Sequence, residues 1–316
     1  MGKLSVIIPS YNEDKMICNI SSVVSSLLDD ENIPYEIIFI NDGSKDNTWE
    51  EIGKACDKNP NIKGFNFSRN FGKEAAIFAG LTYAVGDCCA VIDCDLQHPP
   101  EVLVQMYQKW KDGYEVVEGV KASRGKESFL HRFAAKSFYS IISSATKIDM
   151  SKASDFKLLD RKAVDILRSM PEKHIFFRAL SSWVGFKTTS IEFDVQEREA
   201  GDSKWSTMSL IKYAITNITS FSTAPMQIVT FTGIIFGFFS IILGIHSVYM
   251  EFIGKSAEGF TTVILLLLII GSIIMLSLGI IGYYISKIYE ETQNRPRFIV
   301  SEYENNNELS YKNRKA

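Results

Sequence analysis

The chain has 316 residues and a formal net charge of −3, with 22% of its residues charged. That length allows one large or two modest domains, and so balanced a charge leaves no bulk electrostatic footprint for a nucleic acid. The five cysteines, Cys18, Cys56, Cys88, Cys89 and Cys94, are odd in number and contain no CxxC pair, which argues for free thiols in a reducing compartment and against a zinc site. Met1-Gly2-Lys3 leads directly into a short strand-like run, too short for a signal-peptide core. Val6 spoils a myristoylation pattern.

Leu4 to Pro9 reads as a first strand, Ser10 to Glu13 as a loop, and Asp14 to Leu28 as a helix. Tyr35 to Ile40 is a second strand, ended by Asn41-Asp42-Gly43-Ser44. Asp46 then caps a helix running to about Asp57. Ile62 to Phe67 is a third strand, Gly72 to Ala84 a third helix, and Cys88 to Ile92 a fourth strand. Strands alternating with helices of this length imply parallel βαβ units in a doubly wound α/β sheet. Ligands bind such sheets beyond the C-terminal strand ends. Three polar clusters lie there: Tyr11 with Glu13, Asp42 with Ser44, and Asp93 with Asp95.

Asp93 and Asp95 stand at spacing i, i+2 beyond a buried strand, so their side chains point the same way and Cys94 points the other. Two adjacent carboxylates repel unless a cation lies between them, and their oxygens suit Mg2+ or Mn2+. Gln97 continues the alternation with a neutral oxygen. The competing reading is a polar strand-to-helix turn with an Asp at a cap. No GxGxxG follows the first strand and no GxxxxGK[ST] occurs, so a diphosphate would be met by such a cation, helped by Arg69 and Lys73. For these two, a solvated loop is an equal alternative.

Ser128 to Lys147 has the aromatic and basic pattern of an amphipathic helix at a membrane surface, although a core-facing helix fits the same spacing. Ser154 to Arg161 is a strand with Asp155 near its start. Asp155 could serve as a cap, as an ion-pair partner or in a site, and the winding places it apart from the three strand-end clusters. Gln196 to Trp205 is a polar, glycine-containing loop. From Tyr213 to Met250, and again from Gly259 to Ser286, there is no Asp, Glu, Lys or Arg. Each run exceeds the ~20 residues that cross a bilayer. Pro225 divides an interfacial helix, Ser206 to Phe221, from a span of about Gln227 to Tyr249, and the second span is about Thr261 to Tyr284. Lysines and arginines on both outer flanks put both termini in the cytoplasm by the positive-inside rule. The tail from Ser301 onward is polar and reads as loosely ordered. The expected divisions are a catalytic domain over 1–205, an interfacial helix over 206–226, a two-helix membrane region over 227–286, and a cytoplasmic tail over 287–316.

Pro9-Ser10-Tyr11-Asn12-Glu13, Asn41-Asp42-Gly43-Ser44, Ser68 to Lys73, and Asp93-Cys94-Asp95-Leu96-Gln97 resemble the successive motifs of the family 2 glycosyltransferases. More closely they resemble the branch that acts on polyprenyl phosphates, which includes dolichol-phosphate mannose synthase and the bactoprenol glucosyltransferases. The resemblance implies a GT-A fold, Rossmann-like with a mostly parallel sheet, carried here on two C-terminal transmembrane helices. It implies that Pro9, Tyr11, Glu13 and Asp42 hold the nucleoside, and that Asp93, Asp95 and Gln97 hold Mg2+ or Mn2+. It places Asp155 beside the acceptor and folds the loop with Arg198 and Lys204 over the donor diphosphate, where their charges would stabilise the leaving group. Arg124 and Arg132, in and after the loop before the amphipathic helix, are the candidates for the acceptor phosphate. The family often has Asp at the place of Asn41, and a small residue at that of Cys94.

The expected activity is a metal-dependent, inverting transfer of one hexose, from UDP-glucose, to polyprenyl phosphate at the cytoplasmic face of the cell membrane. UDP-GlcNAc and GDP-mannose are the alternative donors. A polysaccharide-elongating synthase is the rival enzyme, but its Gln-x-x-Arg-Trp motif is missing, since Gln196 and Arg198 are followed only by a distant Trp205. A catalytically dead scaffold and a transporter are the rivals from other classes. Nucleotide sugar, polyprenyl phosphate and bilayer are the expected partners, with no nucleic acid. A homo-oligomer is left open.

Overall fold

A computed structural model describes residues 2–122, 154–172, 176–194, 224–254 and 259–305. The chain divides into two compact units, one of Met1–Thr207 with Arg295–Ala316 and one of Met208–Asn294.

In the first unit, β1 (Leu4–Ser10), α1 (Asp14–Asp30), β2 (Tyr35–Asn41), α2 (Thr48–Lys58), β3 (Ile62–Phe67), α3 (Lys73–Tyr83) and β4 (Cys88–Val91) alternate strictly. There follow α4 (Glu101–Lys111), β5 (Val116–Lys121), β6 (Lys157–Asp160), α5 (Arg161–Ser169), α6 (Phe177–Trp183) and β7 (Thr188–Phe193). The chain returns after the second unit as β8 (Val300–Asn305). Among the described residues these strands make one sheet in the order β7-β5-β6-β4-β1-β2-β3-β8. Four of its seven pairings are parallel: β1 with β2, β1 with β4, β2 with β3, and β5 with β7. The sheet is therefore mixed and mostly parallel, as the alternating pattern requires.

The strands β1 and β2 are buried on both faces, which is why Val6-Ile7-Ile8 and Ile37-Ile38-Phe39-Ile40 are apolar runs, while the buried Ser5 hydroxyl donates to Glu36 at 2.6 Å. Leu4, Val6 and Ile8 on one face join the core cluster with Ile17, Ile20, Val24 and Leu28 of α1. Ile7 on the other face meets α3 where Gly80 brings the helix backbone against its side chain, so a Cβ at Gly80 would strike Ile7. The helices α1, α2 and α3 agree with the expected ones to within a residue or two. Asp46 accepts from the Thr48 amide at 3.1 Å, one residue outside the helix's own N-cap, Asn47.

The chain winds from β1 to β2 to β3 and then crosses back to lay β4 on the other side of β1. That reversal opens a crevice at the C-terminal ends of β1 and β4. The segment before β6 proves to be the decisive neighbour of this crevice. β6 runs antiparallel to β4 with Val91 opposite Lys157, so the extension of that register sets residue 93 facing residue 155. The expectation that Asp155 lies apart from the strand-end clusters is corrected by this pairing. An antiparallel strand brings its start to the end of its neighbour, and a continued parallel winding would not.

The tail also departs from expectation. Val300–Asn305 is not loose but forms β8, antiparallel to β3, with Phe65 opposite Tyr303. Ring contacts supply the reason. The Tyr303 ring lies 4.8 Å from that of Phe65, and Phe298, just before the strand, stacks on Phe67 at 5.3 Å. On the polar side Glu302 accepts from the indole of Trp49 at 2.9 Å. Tyr303→Ala should lower the stability of the first unit by about 1 kcal/mol, the worth of an aromatic cross-strand pair. Thermal melting of the full chain in detergent would show this, and an unchanged Tm would count against any contribution from the strand.

The second unit contains α7 (Ala224–Phe252) and α8 (Phe260–Thr292). Met226–Met250 and Leu266–Thr292 are long and apolar enough to cross a membrane, and among the described residues neither is buried. The helix α8 outruns its expected end near Tyr284, since Lys287 and Glu290 continue it with an i, i+3 ion pair at 3.4 Å. The expected helices over 128–147 and 206–221 lie outside the described residues.

Candidate active site

Asp93 to His98 leave β4 with alternating exposure. Asp93, Asp95 and Gln97 are partly open, while Cys94, Leu96 and His98 are buried. Within this turn Leu96 adopts φ +53°, a left-handed conformation unusual for a bulky side chain. Burial of the Leu96 side chain holds it there, and Asp95 Oδ1 accepts from the Gln97 amide at 3.2 Å across the turn. His98 stacks on Phe156 at 4.6 Å and meets Phe193 edge-on at 5.5 Å. Its Nδ1 is buried and meets no partner among the described residues. Burial lowers its pKa, so this ring sits neutral in its aromatic slot.

Asp93, Asp155 and Lys73 meet in one cluster. The Lys73 ammonium, from the first residue of α3, lies 2.6 Å from Asp93 Oδ1 and 3.1 Å from Asp155 Oδ2. Arg178 of α6 clamps Asp155 from the other side, Nε to Oδ1 at 2.6 Å and Nη2 to Oδ2 at 2.8 Å. Burial opposes ionisation of Asp155, but the Lys73 and Arg178 charges outweigh it and hold the carboxyl far below the usual range. Asp93 is also lowered, its burial outweighed chiefly by Lys73. Glu74 accepts from the Phe177 amide at 2.9 Å. Burial, and then the Asp155 charge, push its pKa up to about 7.

Sequence reasoning missed Arg178 and Glu74. The signal for Arg178 was a lone arginine in the apolar run His174 to Leu180. A third missed residue, Lys157, explains how Arg178 is aimed. Lys157 is fully buried, and its ammonium donates to Glu118 at 2.7 Å, Ser181 Oγ at 2.6 Å and the Arg178 carbonyl at 3.3 Å. One buried charge on β6 thus ties the first turn of α6 to the sheet. Its desolvation cost is offset by Glu118 and these oxygens, although burial still lowers its pKa.

At the end of β2, Asp42 is buried and accepts from the amides of Phe71 at 2.6 Å and Gly72 at 2.9 Å. Burial raises its pKa despite these bonds. Asp42 therefore braces the loop that delivers Lys73. Gly43, at φ +62°, lets that loop pass, because a Cβ there would strike the Arg69–Asn70 backbone. Asn41 donates to Asn66 Oδ1 at 2.8 Å, a bond that the carboxylate often found at this place could not make. Cys94 is buried with its thiol pKa pushed up, and it faces away from the two carboxylates. Pro9 lies within β1. Tyr11 is exposed beyond its end, and the Glu13 amide donates to Thr48 Oγ1 at 2.9 Å. Arg69 folds over the Phe71 ring, 4.2 Å from its centroid. Arg124, Arg132, Arg198 and Lys204 lie outside the described residues.

The donor set at Asp93, Asp95 and Gln97 is all oxygen, which fits a hard divalent cation. Among the described residues no group of three or more His, Cys, Asp or Glu is placed to cage a metal. An ion held here would complete its shell with ligand oxygens, as Mg2+ does at nucleotide sites.

The model of the family described as "Glycosyl transferase family 2" matches residues 5–167. The chain belongs to the family 2 glycosyltransferases. This glycosyltransferase is 38% identical over 298 residues to an uncharacterized glycosyltransferase, YkcC, of Bacillus subtilis, covering 94% of this chain and 92% of that one. It is 36% identical over 301 residues to a prophage bactoprenol glucosyl transferase homolog of Escherichia coli, covering 94% and 98%. Among solved structures it is similar in fold to mannosyl-3-phosphoglycerate synthase from Rubrobacter xylanophilus. There the TM-score is 0.50 at 14% identity, over 69% of this chain and 73% of that one. The fold of the first unit is GT-A, and the second unit adds two apolar helices.

Proposed function

We propose that this glycosyltransferase moves a single hexose from a nucleotide sugar, UDP-glucose foremost, onto polyprenyl phosphate at the cytoplasmic face of the membrane. The observation that carries this reading is the span of the similarity to the bactoprenol glucosyl transferase homolog. It covers 94% of the chain and so takes in the two apolar helices as well as the GT-A unit. An acceptor with a polyprenyl tail cannot leave the bilayer, so the enzyme is tethered to it.

Asp93, Asp95 and Gln97 would hold Mg2+ or Mn2+, and the bound ion would neutralise the donor diphosphate as the sugar leaves. Pro9, Tyr11 and Glu13 edge the crevice on the nucleoside side, and Asp42 braces the loop beneath it. In the transfer the bond from the anomeric carbon to the diphosphate oxygen breaks as an acceptor phosphate oxygen bonds to the opposite face, giving inversion. That phosphate is already ionised at neutral pH, and a carboxyl held as low as Asp155 is a poor proton acceptor. Asp155 therefore acts by position, fixing Lys73 and Arg178 where an acceptor phosphate would arrive. Arg124 and Arg132 would join them there, while Arg198 and Lys204 would close on the leaving diphosphate.

The strand β8 supports the membrane reading. A chain that crosses a bilayer twice returns to the side it left, and β8 follows both apolar helices yet pairs with β3. Both termini would then be cytoplasmic, in agreement with the positive flanks.

Membranes containing the enzyme, supplied with polyprenyl phosphate, Mg2+ and a panel of labelled nucleotide sugars, should move label into the organic phase from one donor. UDP-GlcNAc or GDP-mannose giving the signal would change the donor and keep the reaction. Label collecting in a water-soluble polymer would replace this reading with that of an elongating synthase.

A further inference from the structure

We propose that Lys73 is a resident counter-cation that gives up Asp93 to an incoming divalent ion and keeps its contact with Asp155, linking the donor side of the site to the acceptor side. The inference rests on the proposed metal reading and goes beyond it.

Three observations carry it. First, the ammonium of Lys73 already neutralises the carboxylate that a metal would use. It lies 2.6 Å from Asp93 Oδ1, whereas Mg2+ binds such an oxygen at about 2.0–2.1 Å. An ammonium and a divalent ion on one carboxylate repel each other at those distances, so entry of the ion works against Lys73. Second, an ion arriving at Asp93 would replace the one charge that Lys73 withdraws from it. Asp155 keeps both oxygens on Arg178 at 2.6 and 2.8 Å, whereas among the described residues Asp93 forms its ion pair with Lys73. Third, Lys73 has room to move. Its side chain is 43% exposed, and it opens α3 just after Gly72, whose φ of +98° ends the loop braced by Asp42.

The displaced ammonium stays within reach of Asp155, already 3.1 Å away. A charge that neutralises Asp93 before donor binding is thereby freed toward the acceptor phosphate once the ion has arrived. Because coupling is reciprocal, a bound acceptor that draws Lys73 away should also tighten the metal site.

Binding of Mn2+ alone to the purified full chain in detergent, followed by the free-ion electron paramagnetic resonance signal, tests the competition. Lys73→Met should bind Mn2+ roughly tenfold more tightly than the unaltered chain, since one charge-assisted contact no longer opposes the ion. Lys73→Arg, which keeps the charge, should bind with the original affinity. Asp95→Ala should abolish the binding and so locate the ion at this site. Lys73→Gln repeats the neutral substitution and guards against a folding defect of the methionine variant. Unchanged or weaker binding in both neutral variants, with the unaltered chain binding normally, overturns the role of Lys73 and leaves the metal reading standing. No saturable Mn2+ binding by any of the chains overturns both.

Discussion

Asp95→Ala should lower transfer to lipid by on the order of 10³-fold, the largest effect expected from a single change in this enzyme. The reason is geometric as well as electrostatic. Asp93 and Asp95 are both partly open while Cys94 between them is buried, and one carboxylate cannot chelate what two do. The Asp95 side chain also accepts from the Gln97 amide at 3.2 Å, so the alanine variant removes a charge and a turn contact together. Asp95→Asn separates the two, since its amide oxygen can still take the Gln97 proton. If the charge matters, the asparagine variant should be nearly as inactive as the alanine variant and equally indifferent to added Mg2+ or Mn2+. Substantial turnover by the asparagine variant, or full activity of the unaltered enzyme in EDTA, would refute a metal held by this pair.

Arg178→Ala should cut turnover by about a hundredfold while nucleotide-sugar affinity, measured by calorimetry without acceptor, changes little. Arg178 makes a two-point contact with a carboxylate whose side chain is 10% exposed. Its loss leaves Asp155 with Lys73 at 3.1 Å as its ion-pair partner, and losing one charge-assisted contact is worth about 1.5–3 kcal/mol. Lysine is not expected to rescue the site, because a point charge cannot reproduce the planar fork. Asp155→Asn should behave similarly, lowering turnover and sparing donor binding. The shared position with Asp93 makes this a demanding expectation. If either variant loses donor affinity in proportion to its turnover, Asp155 and Arg178 serve the donor and their acceptor role is wrong.

The parallel half of the sheet was legible because a strand covered on both faces is mostly apolar, as Val6-Ile7-Ile8 and Ile37-Ile38-Phe39-Ile40 are. The polar ends of those strands could then be assigned to one edge without coordinates. What escaped was decided by partners distant in sequence. Asp155 and Asp93 are neighbours through an antiparallel register that no local pattern encodes. Lys157 interrupts Phe156 and Leu158 with a charge that looks exposed in the sequence, but Glu118 and Ser181 supply it with a buried socket. Val300–Asn305 has the composition of a tail and becomes a strand because Phe65 and Trp49 stand ready at the sheet's edge.

That last strand sets a timetable for the newborn chain. β3 ends at Phe67, and the strand that covers its open edge begins at Val300. At roughly 5–20 residues per second of synthesis, the edge stands uncovered for on the order of ten to fifty seconds while the two apolar helices are made. An uncovered edge invites pairing with any other extended segment, including a second nascent copy. Lys63 and Asn66 along β3 interrupt its apolar residues with the polar and charged groups that discourage such pairing.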